Sequence, residues 1–204
     1  MESSFLVKNK NIGAIILAGG RSRRFGQDKT LATLFGISLI DRAINIVREI
    51  TNDIIIATNS PEKLTSLPYP KIKDLIPGRG PLGGIYTGLF FSKHQKNIII
   101  PVDMPFISVE CMEFLISHRE HADVVVPIHD EKYEPLCAVY SRSCLQEIKK
   151  QLHSGNNQVF AFYDKVKTIA LYFDSAPCFH NQNLFFNINS VHDMNRLQPK
   201  HLQE

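Results

Sequence analysis

An apolar run from Ile12 to Leu17 breaks abruptly into Ala18-Gly19-Gly20-Arg21-Ser22-Arg23-Arg24-Phe25-Gly26-Gln27-Asp28-Lys29. No other stretch limits the fold so tightly. The apolar run reads as a buried strand, and the loop after it packs three glycines and four cations into a dozen residues. Glycines let backbone N–H groups approach phosphate oxygens with no side chain in the way. Arginine adds forked contacts and lysine a mobile point charge. A strand end that opens into such a loop is where a parallel α/β sheet binds a nucleotide. The spacing fits neither GxxxxGK[ST] nor GxGxxG. A surface turn with solvated arginines is the plainer alternative. The interleaving of cations with glycines directly after a strand favours phosphate.

The remaining pattern alternates strands with helices. Ser38, with Asp41 three residues on, caps a helix on which Ile40, Ala43, Ile44 and Val47 recur at helical spacing. Ile54-Ile55-Ile56-Ala57 is a second buried strand. Asn59-Ser60-Pro61 closes it and starts a short helix. A short extended segment, Lys71–Leu75, leads into a second glycine-rich loop, with a helix following to about Ser92. Asn97–Val102 is a third strand, and Ser108 caps a helix to about His118. Ala122–Pro127 is another strand, and Tyr133–Tyr140 reads as one extended antiparallel strand of the kind mixed sheets carry. Cys144–Leu152 is helical, Gln158–Tyr163 a short helix and Lys167–Phe173 a late strand. Phe185 to Ser190 closes the fold, and Ser190 with Asp193 caps a last helix. The expected architecture is a three-layer α/β/α sandwich around a mostly parallel, Rossmann-like sheet. Residues 1–11 are expected to be a flexible tail and 12–204 one domain.

Composition narrows the partners. The net charge of +3 is accounted for by the basic loop, so nothing points to nucleic acid or a membrane surface. No apolar run approaches the ~20 residues of a membrane span. The N-terminus offers only Phe5-Leu6-Val7 before Lys8, too short for a signal-peptide core. Cys111, Cys137, Cys144 and Cys178 form no CxxC and read as reduced thiols, which suits the cytoplasm.

The string LAGGxSxRxGxDK resembles the signature of NTP-dependent nucleotidyltransferases, and its Gly-Gly form is similar to that of the molybdenum cofactor guanylyltransferases. Two further motifs carry the likeness. DxxPGxGPLxGI, from Asp74 to Ile85, resembles the family's second motif, and VDMPF, from Val102 to Phe106, resembles its metal-binding segment. The resemblance implies GTP as donor and molybdopterin as acceptor, with diphosphate released and a guanine dinucleotide cofactor formed. It implies nucleotide contacts from Leu17, Ala18, Gly19, Gly20, Arg21, Ser22, Lys29, Asp74, Gly80 and Asp103. Lys29 and Arg24 are the candidates for stabilising phosphate charge, and Asp103 for holding Mg2+. A strand-end carboxylate suits a metal that prefers one or two carboxylates plus phosphates and waters. Asn187 and Asn189 match an NxN segment that lies near the acceptor in the family; asparagines at a strand end also satisfy backbone groups. The chain departs from the family pattern at Glu134-Pro135-Leu136, where the resemblance implies a histidine before the proline. A carboxylate there faces an anionic phosphate badly, which puts Glu134 in question as a substrate contact.

Together, two glycine loops and a strand-end carboxylate suggest nucleotidyl transfer, in which positioning and charge stabilisation suffice without a protein nucleophile. A cytidylyltransferase on the same pterin, or a sugar-phosphate nucleotidyltransferase, has the same features, because spacing and charge do not distinguish the base. A GTP-binding sensor module is the alternative outside enzymes; Lys29 and Asp103 argue against it. An unstable acceptor favours direct hand-over, so transient contacts with cofactor-biosynthesis or cofactor-loading proteins are expected.

Overall fold

The computed structural model describes residues 11–19, 29–173 and 183–197. The expected N-terminal tail, Asn11 apart, lies outside them. The first strand is β1 (Ile12–Leu17), buried along its whole length. It pairs in parallel with β4 (Ile54–Ala57) on one side and β6 (Lys96–Pro101) on the other. Outward from β4 lies β5 (Lys71–Ile72), shorter than the sequence suggests. Outward from β6 come β9 (Ala138–Ser141), then β7 (Val124–His129), then β10 (Thr168–Tyr172). β9 is antiparallel to both neighbours, and the other strands on this path are parallel to one another. The expected antiparallel strand therefore sits inside the sheet, between β6 and β7.

Alternation along β1 sends its side chains into two apolar layers. Ile12, Ala14 and Ile16 join the layer covered by α1 (Leu39–Ile50) and α3 (Val109–Ser117). Ile15 and Leu17 face α2 (Gly80–Phe91) and α4 (Leu145–His153). This is the three-layer sandwich. The caps stand as the sequence reads: Ser38 accepts from the Asp41 N–H at 3.1 Å, Ser108 from Cys111 at 3.2 Å, and Ser190 from Asp193 at 3.2 Å, the last opening α5 (Val191–Leu197). α2 has small residues where it crosses β1. A Cβ on Gly88 would lie 2.4 Å from Ile15 Cγ2, and one on Gly84 3.1 Å from Leu17 Cδ2. These glycines let the second glycine loop sit directly over the end of β1.

Three local features add to the sequence reading or differ from it. Between Leu31 and Ser38 the chain makes a small hairpin, β2 (Thr33–Leu34) against β3 (Ile37–Ser38), with Phe35 and Gly36 both at positive φ in the two-residue turn. Tyr133–Tyr140 is not one strand. β8 (Lys132–Tyr133) folds back on the end of β7 through Asp130 and Glu131, both at positive φ. Five residues, 134–138, then stand opposite Val126 and Pro127, because β7 pairs Ile128 with Tyr133 but Val125 with Val139. The excess is extruded as a bulge. Finally, Phe185–Ser190 has no strand; it crosses the sheet's carboxyl edge as an irregular segment, with Ile188 donating from its backbone to the Asp103 carbonyl at 2.8 Å.

Candidate active site

The carboxyl ends of β1, β4 and β6 meet at one edge. Ala18 donates its N–H to the Ala57 carbonyl at 2.9 Å, and Val102 donates to Leu17 at 3.3 Å. Leu17 and Ala18 are buried, and Gly19 leads out of the sheet with room beside it: a Cβ there would find only Asn59 Nδ2, at 3.9 Å. Gly20, Arg21, Ser22 and Arg24 lie outside the described residues. Lys29 opens a 3-10 turn, Lys29–Leu31, and its side chain points back across the sheet edge. Its Nζ reaches Asp103 Oδ2 at 2.9 Å. Lys29 and Asp103 side chains are only 15% and 26% exposed, so the pair is sheltered but reachable.

Asp103 has a second partner. Oriented by its hydrogen bonds, the Asn187 amide donates to both carboxylate oxygens at 3.0 Å. The backbone bond from Ile188 fixes the same register. The family resemblance implies that Asn187 lies near an acceptor; the fold brings it onto Asp103. Asn189 is exposed and gives its backbone N–H to Asp193 at 2.9 Å, at the start of α5.

Asp74 stands on the β4 side of the same edge. Asn59 Nδ2 donates to its Oδ2 at 3.0 Å. Burial pushes the Asp74 carboxyl above its ordinary value, and the Asn59 hydrogen bond partly offsets this. Asp74 lies against the first turn of α2, within 4 Å of where Cβ atoms on Gly83 and Gly84 would stand. Thr87 Oγ1 accepts from the Leu75 N–H at 2.9 Å and holds the turn to the helix. Gly80, at φ +60, opens α2 in a conformation that side-chain-bearing residues rarely adopt. Asn59 is a candidate site residue that sequence reasoning missed, having been read as a strand-closing turn. Its signal is its position, a polar side chain just past the end of a buried parallel strand, as Asp103 is past β6.

Among the described residues no group of three or more His, Cys, Asp or Glu could hold a metal by themselves. Asp103 fits a site of the other kind, in which one carboxylate works with substrate phosphates and waters. Its oxygens are held by an ammonium and an amide, both of which can be exchanged for a cation.

A glycine-rich stretch after β1, a lysine returning to a strand-end aspartate, and a second glycine turn over the same edge accompany a family match. The family model described as the MobA-like NTP transferase domain matches residues 14–167. The chain belongs to this family of NTP transferases. Among this transferase's relatives, the molybdenum cofactor guanylyltransferase of Desulfosudis oleivorans is 40% identical over 158 residues, covering 76% of this chain and 78% of that protein. The protein of Pelotomaculum thermopropionicum named "Probable molybdenum cofactor guanylyltransferase" is 34% identical over 181 residues, 88% of each chain. The crystal structure of molybdopterin-guanine dinucleotide biosynthesis protein A from Archaeoglobus fulgidus superposes with a TM-score of 0.78 at 27% identity, covering 91% of this chain and 96% of that one. No helix among the transferase's described residues is long and apolar enough to cross a membrane.

Proposed function

We propose that this transferase moves GMP from GTP to the terminal phosphate of molybdopterin, releasing diphosphate and forming the guanine dinucleotide cofactor. An oxygen of the acceptor phosphate bonds to the α-phosphorus as the bond to the bridging oxygen of the diphosphate breaks. The observation that carries this reading is the Lys29–Asp103 pair, which joins the phosphate loop to the end of β6. An ammonium placed there is positioned to pass from a carboxylate to a phosphate. It then stabilises charge that builds on the phosphoryl and leaving groups, with no protein nucleophile needed. Backbone groups of Leu17 to Gly20, with Arg21, Ser22, Arg24 and Gly80, complete the grip on the triphosphate. Asp74, steadied by Asn59, contacts the guanosine part. Asn187 and Asn189 border the acceptor.

Nucleotidyltransferases generally use a divalent metal, and here Asp103 would hold Mg2+. When bound, it neutralises phosphate charge and aligns the displacement. The names of the relatives support guanine over cytosine and a pterin acceptor over a sugar phosphate. The cytoplasm is the compartment in which the reaction is expected, and residues 12–204 act as one domain.

The test is diphosphate release from each of the four NTPs, with Mg2+ and molybdopterin. GTP-dependent release supports the reading. Release with CTP alone moves it to a cytidylyltransferase, and tight GTP binding without release to a sensor.

A further inference from the structure

The sheet sets out the reaction in order along its carboxyl edge. Asp74 and Asn59 stand beyond β4, the phosphate loop follows β1, and Asp103 follows β6. The next strand is β9, and with the nucleoside on the β4 side the acceptor must approach from this direction. At this point the chain departs from regular sheet. Ala138 is the last β9 residue paired with β6, opposite Ile99, so the bulge at 134–137 lies at the level where β6 gives way to Asp103. Bulges next to reaction centres serve to re-aim a side chain. This one is braced from behind: Tyr140 Oη donates to the Pro135 carbonyl at 2.8 Å, the buried Tyr163 hydroxyl contacts Tyr140, and the Cys137 N–H closes the turn onto the Glu134 carbonyl at 3.1 Å.

The bulge carries one carboxyl, that of Glu134. It is half-buried, and it makes no hydrogen bond or ion pair among the described residues. The ionisable groups that face it are His129 at the end of β7, Asp130 in the hairpin turn, Lys132 on β8, and the buried Cys137 thiol behind it. A half-buried carboxyl on a braced backbone, left without a donor, is suited to a ligand that brings one.

We propose that Glu134 recognises the donor edge of the acceptor's ring, the vicinal amino and ring N–H groups of a 2-amino-4-oxopyrimidine. This rests on the proposed pterin acceptor. Two parallel N–H donors match a carboxylate in a forked, charge-assisted pair. The acceptor phosphate then lies toward Asp103, at the far end of the same molecule, and the repulsion expected between Glu134 and that phosphate does not arise. Burial pushes the Glu134 carboxyl up to about 7, against the pull of His129 and Lys132 and with a push from Asp130. Because the ionised form is the one that accepts two hydrogen bonds, acceptor binding strengthens as pH rises through that value.

The experiment compares wild type with Glu134→Gln in diphosphate release with GTP and molybdopterin, together with binding of a fluorescent GTP analogue to both proteins. The expected result is a KM for molybdopterin about 10- to 100-fold higher in the variant, the size of a lost charge-assisted pair. The affinity for the GTP analogue stays at the wild-type value, which also shows that the variant is folded. In wild type, kcat/KM for molybdopterin rises with pH around 7, and in Glu134→Gln this limb is absent. An unchanged or lower KM in the variant, or a wild-type profile that falls over the same range, overturns the assignment. If wild type turns over and the variant matches it, only the role of Glu134 is lost. If wild type releases no diphosphate with molybdopterin, the transfer reaction itself falls and this assignment with it.

Discussion

Lys29 and Asp103 are 74 residues apart in the chain and 2.9 Å apart in space. Their residue types and motif context were legible in the sequence, because glycine and cation spacing is a local signal. The hydrogen bonds to Asp103 from Asn187, and to Asp74 from Asn59, were not legible, because no local pattern encodes which strand end lies beside which. Lys29→Ala is expected to lower turnover by ~10²–10³-fold, the usual loss for one charge-stabilising donor, read as diphosphate release under saturating GTP. Asp103→Ala should leave residual activity that no longer responds to Mg2+ across a titration. Asn187→Asp tests the third member of the cluster. It sets two carboxylates about as close as the present hydrogen bonds, so the variant should melt below wild type at pH 8. Acidification should narrow the gap, as one carboxyl takes up a proton. Equal melting curves at both pH values would show that residue 187 does not face Asp103.

At the scale of elements, caps and buried strands followed from sequence, and the pairing of short strands did not. Ser38, Ser108 and Ser190 announce their helices because the capping side chain and the N–H it serves are three residues apart. The two tight hairpins are not equally legible. Asp130-Glu131 has no glycine despite its positive φ values, whereas Gly36 marks the turn after Leu31–Phe35 and only the pairing of the two short strands around it is hidden. The bulge at 134–137 was invisible for a related reason: it is defined by a change of pairing between strands, and Tyr133–Tyr140 by itself reads as extended. The approach of α2 to β1 is also set between elements. Gly88→Ala forces a methyl into Ile15, and the helix must lift from the sheet. Overpacking of this kind should lower the melting temperature by ~3–10 °C. Because α2 carries the second glycine loop, GTP affinity should fall with it. A variant of wild-type stability would mean that the helix does not pack this closely.

For the molecule as a whole, the candidate site and an anchoring ion pair occupy opposite edges of the sheet. At the amino ends of the strands, Asp53 bonds Lys93 at 2.7 Å and His94 at 2.8 Å, tying the entrance of β4 to the entrance of β6. The hydrogen bond from Lys93, followed by that from His94, holds the Asp53 carboxyl below its ordinary value. A depressed carboxyl contributes stability that is present above its unfolded pKa, about 3.9, and lost as pH falls through the lower folded value. Asp53→Asn should therefore melt below wild type at neutral pH, and the two curves should converge in strong acid. A gap that persists unchanged at pH 2 would rule the tie out.

The sheet also has a seam. β6 and β7 never pair; the four residues of β9 join the half that carries β1, β4, β5 and β6 to the half that carries β7 and β10. During synthesis β7 leaves the ribosome before β9, so it has no neighbour on that side until Ala138–Ser141 slots in. The docking of one short strand thus sets the distance between the two halves of the sheet's carboxyl edge. A folding species arrested just before that event is expected to grip a nucleotide and yet be blind to whatever should receive it.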